Sequence, residues 1–161
     1  MPLKSLEIDG ITNGYVVDDS IWRGAQPEDF AWIKLAEAGC CSVVDLNNKG
    51  IDQQKQSSLV EAQHMIYAAY PWDGILPPSQ AQVGQVLNRM DALPKPIFVH
   101  CLHGSDRTGT LCAIWRMYHD KWAFGKAMWE AFTGLGLHGE HEFWMAAAAA
   151  EYAHLHGLAA R

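Results

Sequence analysis

His100-Cys101-Leu102-His103-Gly104-Ser105-Asp106-Arg107-Thr108-Gly109 is the stretch on which the reading of this chain turns. On its N-terminal side lies Ile97-Phe98-Val99, a continuous apolar run of the kind a central parallel strand carries. On its C-terminal side a helical pattern runs from Thr108, with Leu111, Ile114, Trp115 and Tyr118 on one face. Strand, glycine-containing loop and helix in that order build a nest of inward-facing backbone N–H groups backed by the positive end of the helix. A loop of this length fits one tetrahedral phosphate.

The residue types in the loop specify the chemistry. A bare Cys-x5-Arg pair is weak in a chain with four cysteines. His before the Cys, Gly at the third loop position, and Thr-Gly after the Arg make the pattern specific. The field of the nest favours the thiolate of Cys101, the nucleophile. Arg107 holds two phosphate oxygens with its planar fork. Thr108 is placed to donate its hydroxyl to the sulfur, and Gly104 permits the turn. Leu102, His103, Gly104, Ser105, Asp106 and Arg107 form the expected phosphate-binding segment. The reaction that follows is two-step phosphoryl transfer through a phosphocysteine, with no cofactor and no metal expected.

Outward from this segment, strands alternate with helices. Gly14-Tyr15-Val16-Val17 and Ile21-Trp22-Arg23 read as a small antiparallel pair. Pro27 is expected to open a helix that runs to Ala38 and stops at Gly39. Ser42-Val43-Val44-Asp45-Leu46 reads as a buried strand, residues 52–63 as a helix, and residues 65–69 as a further strand. Tyr70 to Pro78 is a loop by its Pro and Gly content. Ser79 caps a helix whose apolar face is Val83, Val86, Leu87, Met90 and Leu93, ended by Pro94. Helices near 123–132 and 140–154 complete the chain. This order predicts an α/β fold of three layers, a mostly parallel central sheet of four to five strands flanked by helices. No repeat or linker divides residues 1–161, which read as one domain.

Composition bounds the partners. The chain has 161 residues, 12 basic and 18 acidic, for a formal net charge of −6, which disfavours nucleic acid as a partner. No apolar run approaches the roughly 18 residues of a membrane span, and no signal peptide is expected at the N-terminus. The four cysteines then point to a reducing, cytoplasmic location. Cys40 and Cys41 read as core, and Cys112 lies one helical turn from Thr108; any of the three is an open candidate for a disulfide with Cys101.

The 100–109 segment resembles the signature loop of the cysteine-dependent protein tyrosine phosphatase superfamily, His-Cys-x5-Arg-[Ser/Thr]-Gly. Among its branches the chain is most similar to the small dual-specificity-like phosphatases of bacterial, plant and fungal type. Trp22-Arg23-Gly24-Ala25-Gln26-Pro27 is similar to an early segment of those proteins. Ser42 to Leu46 is similar to the strand that follows it, with Asn47 where relatives often carry Arg. The resemblance implies the three-layer fold, a phosphocysteine intermediate and an Asp general acid on a separate loop. Asp73 is the favoured acid: it follows a predicted strand, and Pro71-Trp72-Asp73-Gly74 looks like a rearranged Trp-Pro-Asp loop. Asp106 is the rival.

The expected substrate is a phosphorylated protein, with phosphotyrosine or dual-specificity sites ranked first. A small phosphomonoester such as an inositol phosphate or phosphoinositide is the alternative, and a catalytically silent phosphate-binding module ranks below both. Oligomeric state is open. His100 reads as structural, and His103 as either a specificity residue or an idle one. The pairs His138/His141 and His154/His156 are weak metal candidates. Arg23 reads as a structural ion pair with Asp45 or, less favoured, a second phosphate contact.

Overall fold

A computed structural model describes residues 3–48, 52–135 and 140–157 of the chain, with side chains of its last helix described from residue 145 onward. In chain order the described elements are β1 (Lys4–Ser5), β2 (Tyr15–Val16), β3 (Ile21–Gly24), α1 (Ala31–Glu37), β4 (Ser42–Asp45), α2 (Gln53–Glu61), β5 (Ile66–Ala69), α3 (Gln80–Ala92), β6 (Ile97–His100), α4 (Asp106–Tyr118), α5 (Phe124–Ala131), a short 3-10 turn (Thr133–Leu135) and α6 (Glu140–Leu155).

The strands form one mixed sheet in the order β1-β2-β3-β6-β4-β5. β3, β6, β4 and β5 are parallel, while β1 and β2 add an antiparallel edge. β6 lies between β3 and β4 in register, with His100 opposite both Gly24 and Asp45. All four of its residues are buried. The β6–α4 loop therefore leaves the C-terminal edge of the parallel strands, where open α/β sheets place their ligands.

Successive residues point to opposite faces of the sheet, and the core divides accordingly. Val43 and Phe98 face Trp32 and Leu35 of α1 and Val60 of α2. Val44, Ile97 and Val99 face α3 to α6, including Leu87, Met90, Leu111, Ile114, Ala127, Met145 and Ala149. Three layers result, as the alternation of elements predicts.

Several boundaries differ from the sequence expectation, each for a local reason. The sheet has six strands, because the two exposed residues of β1 pair with β2 without any apolar signal. α1 begins at Ala31 and not at Pro27: the Glu28 N–H goes to Gly10 O, and Ala31 N–H closes a turn on Glu28 O. α4 begins at Asp106, so Arg107 and Thr108 belong to its first turn. That helix is also buried from Arg107 through Met117, because α5 and α6 cover the side that faces away from the sheet. Ser79 does cap α3, in a reciprocal box with Gln82. At the far end of α4, Arg116 binds Glu130 of α5 (2.8 Å), Asp18 (3.2 Å) and the Val17 carbonyl (2.7 Å), joining three elements behind the site. Among the described residues no helix is long and apolar enough to cross a membrane.

Candidate active site

Cys101 follows β6 directly and is 2% exposed, at the floor of the 101–105 loop. Thr108 Oγ1 donates to its Sγ at 3.0 Å, the contact expected from the position of Thr108 in the first turn of the helix. Gly104 is at φ +74°, and a Cβ there would meet the backbone of Gly24 at 2.5 Å and of Ala25 at 2.6 Å. Glycine is therefore required twice, for the left-handed conformation and for the close approach to the end of β3.

Three successive carbonyls of this loop are held by donors from the chain's N-terminal quarter. Gln26 N–H donates to Leu102 O (3.1 Å), Asn13 Nδ2 to His103 O (3.0 Å) and Arg23 Nη2 to Gly104 O (2.8 Å). In a trans peptide the N–H opposes the C=O. The N–H groups of His103, Gly104 and Ser105 thus face away from that framework, and among the described residues none of them has a backbone acceptor. This is the polarity a nest for an anion needs.

Arg107 is tied to the two neighbouring segments. Its Nη1 donates to Leu46 O (3.2 Å), Asn48 Oδ1 (3.1 Å) and Trp72 O (3.3 Å). These bonds all leave from Nη1, while Nη2 and Nε stand 3.8 and 4.0 Å from where a Cβ on Gly74 would lie. That edge of the fork carries the donors that suit a ligand's oxygens. The sequence alone does not single out Asn48. Its one signal is its place just past the C-terminal end of β4, the strand beside the one that leads to Cys101.

Trp72 is fully buried and its N–H donates to Leu46 O (3.1 Å), anchoring the 71–78 loop. Asp73 is exposed and Oδ1 accepts from the N–H groups of Ile75 (2.7 Å) and Leu76 (2.9 Å). On one side of Asp73 the Trp72 carbonyl accepts from Arg107, and on the other a Cβ added to Gly74 would stand 3.7 Å from the Arg107 Cζ. Ile75 and Leu76 are 61% and 62% exposed, and Leu102, next to Cys101, is 45% exposed. Asp106 is half-buried at the first position of α4, where a carboxylate complements the positive helix end. His103 is exposed and Ser105 is the residue before the helix.

His100 is wholly buried, stacked on Phe98 with centroids 5.6 Å apart, with Nδ1 3.4 Å from Cys101 O and Nε2 3.8 Å from Asp45 Oδ1. Burial lowers its pKa below 6.5, against the opposing pull of Asp45. Asp45 instead accepts from Tyr67 OH (2.5 Å) and Asn47 N–H (2.9 Å). Arg23 is therefore not its ion-pair partner, which corrects the sequence reading. The guanidinium lies on the α4 side of the sheet and reaches Ala131 O (2.9 Å) as well as Gly104 O.

All four cysteines are free thiols. Burial pushes the Cys40 thiol up to about 12 and the Cys112 thiol up to about 11. Cys41, expected in the core, is half-exposed because it precedes the buried strand. Cys112 shares the α4-side core with Cys101, whereas Cys40 lies in the opposite one. Of the histidine pairs, His156 stacks on Tyr152 and faces Gln80, while His138 lies outside the described residues.

Fold and signature segment together define a dual-specificity-phosphatase-like cysteine phosphatase. The chain belongs to the family described as DSP-PTPase phosphatase fused to NAD+ kinase, which it matches over residues 11–140. It is 34% identical over 87 residues to protein-tyrosine-phosphatase PTP1 of Arabidopsis thaliana, a match covering 52% of this chain and 24% of that protein. Among solved structures it resembles TpbA of P. aeruginosa in complex with pTyr, with TM-score 0.71 and 20% identity, covering 91% of this chain and 86% of the other. It also resembles the core catalytic domain of the PP-IP phosphatase SIW14 of S. cerevisiae, with TM-score 0.70 and 16% identity, covering 86% and 87%. These two likenesses are likenesses of fold.

Proposed function

We propose that this chain hydrolyses phosphomonoesters through a phosphocysteine on Cys101, with phosphotyrosine-bearing or dual-specificity protein substrates ranked first. The observation that carries the reading is the Thr108 hydroxyl at 3.0 Å from the Cys101 sulfur, inside a loop whose three carbonyls are turned outward. A sulfur that accepts a hydrogen bond is stabilised as the thiolate, and outward carbonyls leave inward amides for the oxyanions.

In the first step the Cys101 thiolate attacks phosphorus in line. The S–P bond forms as the bond to the leaving oxygen breaks, and Asp73 gives that oxygen its proton. Arg107 and the loop amides hold the equatorial oxygens throughout. In the second step water attacks phosphorus, the S–P bond breaks, Asp73 takes the water proton, and inorganic phosphate leaves with the thiolate restored. No metal is required for either step, because the loop and Arg107 supply the positive field. Thr108 stabilises the sulfur both as nucleophile and as leaving group. Asp73 is preferred to Asp106 because its neighbour Trp72 is bonded through its carbonyl to the guanidinium that grips the phosphate.

Substrate ranking follows from the rim. Leu102, Ile75 and Leu76 present exposed apolar surface beside the site, which suits an aromatic or peptide substrate. The loop itself carries no Lys to meet a second phosphate. The deciding assay is p-nitrophenyl phosphate hydrolysis with a chelator present, comparing wild type with Cys101→Ser. Turnover in the wild type, its loss in the variant and a trapped phosphocysteine are expected. Metal-dependent turnover that survives Cys101→Ser would reject the chemistry. A parallel panel of phosphopeptides and inositol phosphates ranks the substrates, and faster turnover of an inositol phosphate reverses their order.

A further inference from the structure

Arg23 is a fully buried cation that the proposed chemistry does not use. It is 0% exposed, and it spends its two terminal nitrogens on neutral carbonyls, Gly104 O in the loop and Ala131 O at the end of α5. Its Nε is buried without a partner. Among the described residues no carboxylate pairs with it. Glu130, the buried acid on α5, is taken by Arg116 through both carboxylate oxygens (2.8 and 3.2 Å). Asp18 is likewise bound to Arg116. Asp45 lies with Tyr67 and His100, and the buried His100 is held toward its neutral form.

A buried cation without a counter-ion is costly, and it persists where something else in the fold benefits from its field. The bonds of Arg23 fix its guanidinium between the 101–105 loop and the end of α5. The guanidinium lies close enough to Cys112 to oppose the rise that burial imposes on that thiol. Cys112 lies one turn along α4 from Thr108, which itself holds the Cys101 sulfur. The bond to Gly104 O also polarises the Gly104–Ser105 peptide, so its N–H becomes a stronger donor.

We propose that Arg23 is a positioning residue for the loop, a second and permanently buried positive charge that turns the Gly104 carbonyl outward and draws anions to Cys101. This inference rests on the reading of Cys101 as nucleophile. Arg107 grips the phosphate directly, whereas Arg23 acts from beneath the loop and touches no substrate. A bound phosphoryl group, or the thiolate itself, is then the counter-ion that the buried guanidinium otherwise lacks.

The test compares Arg23→Lys and Arg23→Gln in the full chain, each checked for folding by circular dichroism and thermal melting. Cys101 is alkylated with iodoacetate and with iodoacetamide, an anionic and a neutral reagent of similar size, and labelling at Cys101 is read by peptide mass spectrometry. Removing the charge in Arg23→Gln is expected to lower the iodoacetate-to-iodoacetamide rate ratio about tenfold and to weaken competitive inhibition by orthophosphate by a similar factor. Arg23→Lys keeps the charge and is expected to keep most of the ratio, with kcat reduced because it cannot bridge both carbonyls. A folded Arg23→Gln enzyme with an unchanged ratio overturns the inference. So does a folded Arg23→Lys enzyme that has lost it, or failure of both variants to fold, which would assign Arg23 to stability alone. Turnover that survives Cys101→Ser removes the underlying reading instead, whatever the Arg23 variants do.

Discussion

Two loops meet at Arg107, and they are secured in opposite ways. The 101–105 loop is clamped from outside, at three consecutive carbonyls, by donors 76 to 90 residues away in sequence. The 71–78 loop is anchored from outside at one residue, Trp72, which bonds Leu46 and Arg107, and beyond it the Asp73 carboxylate closes a turn on Ile75 and Leu76, whose side chains stand in solvent. On the proposed chemistry clamping preorganises the loop that binds charge, since donors fixed before the reaction need no reorganisation during it. On the same chemistry a proton donor needs only to arrive, and a loop anchored at one residue moves at less cost than one clamped at three.

Four changes put this contrast to the test. The largest effect is expected from Gly104→Ala. Its Cβ would collide with backbone at 2.5 Å, so turnover should fall at least about a hundredfold and stability by about 1–3 kcal/mol, read by p-nitrophenyl phosphate assay and thermal melting. An active, stable Gly104→Ala enzyme would show that the clamp is dispensable. Next, Asp73→Asn should lower kcat roughly a hundredfold or more while leaving the melting temperature near wild type. A donor works only while protonated, so wild-type turnover should decline as pH rises, and the variant should lose that decline. If Asp106→Asn does this and Asp73→Asn does not, the two carboxylates exchange roles.

A smaller effect is expected from Ile75→Ser with Leu76→Ser. Both residues are exposed, so stability should change by less than about 0.5 kcal/mol each. KM for an aromatic phosphate should rise several-fold more than KM for a small alkyl phosphate, and equal rises would deny the rim a part in selection. The smallest effect concerns His100, beneath the clamped loop. Burial lowers its pKa in the folded state, so the unfolded chain takes up the proton first as pH falls. Folding stability should therefore decline as pH drops below about 6.5, by at most about 1.4 kcal/mol per pH unit from this group. His100→Asn should lessen that decline in denaturant titrations run at about pH 7 and about pH 5.5, on either side of the ordinary histidine range. Parallel curves for the two proteins would contradict it.

The contrast also explains what the sequence discloses. Cys101, Gly104, Arg107 and Thr108 are legible because an anion nest imposes fixed spacing on a strand-loop-helix unit. α3 is legible because Ser79 and Gln82 form its cap within four residues. Long-range partners leave no such trace. Nothing local reveals that Arg23 binds Gly104 O, that Gln26 binds Leu102 O, or that Asn48 reaches Arg107, since each pairing depends on how β3, β4 and β6 align. Pro27 misleads about α1 because the stereochemistry that suits a helix start suits the preceding turn equally. The one-face pattern read for α4 understates its burial, because two later helices cover it.

Asn47, just past the end of β4, ties the two flanks of the loop's support together. Its amide meets Gln26 (2.8 Å), which also receives a bond from Gln56 (3.3 Å), while Gln53 bonds the Asn47 carbonyl (3.0 Å). Gln26 is the same residue whose main chain secures Leu102. The side chains that meet at Gln26 are carboxamides, which neither gain nor lose protons anywhere in the range where proteins stay folded, while the Asp45 carboxylate holds the Asn47 N–H behind them. The side-chain contacts that converge on Gln26 are therefore indifferent to acidity.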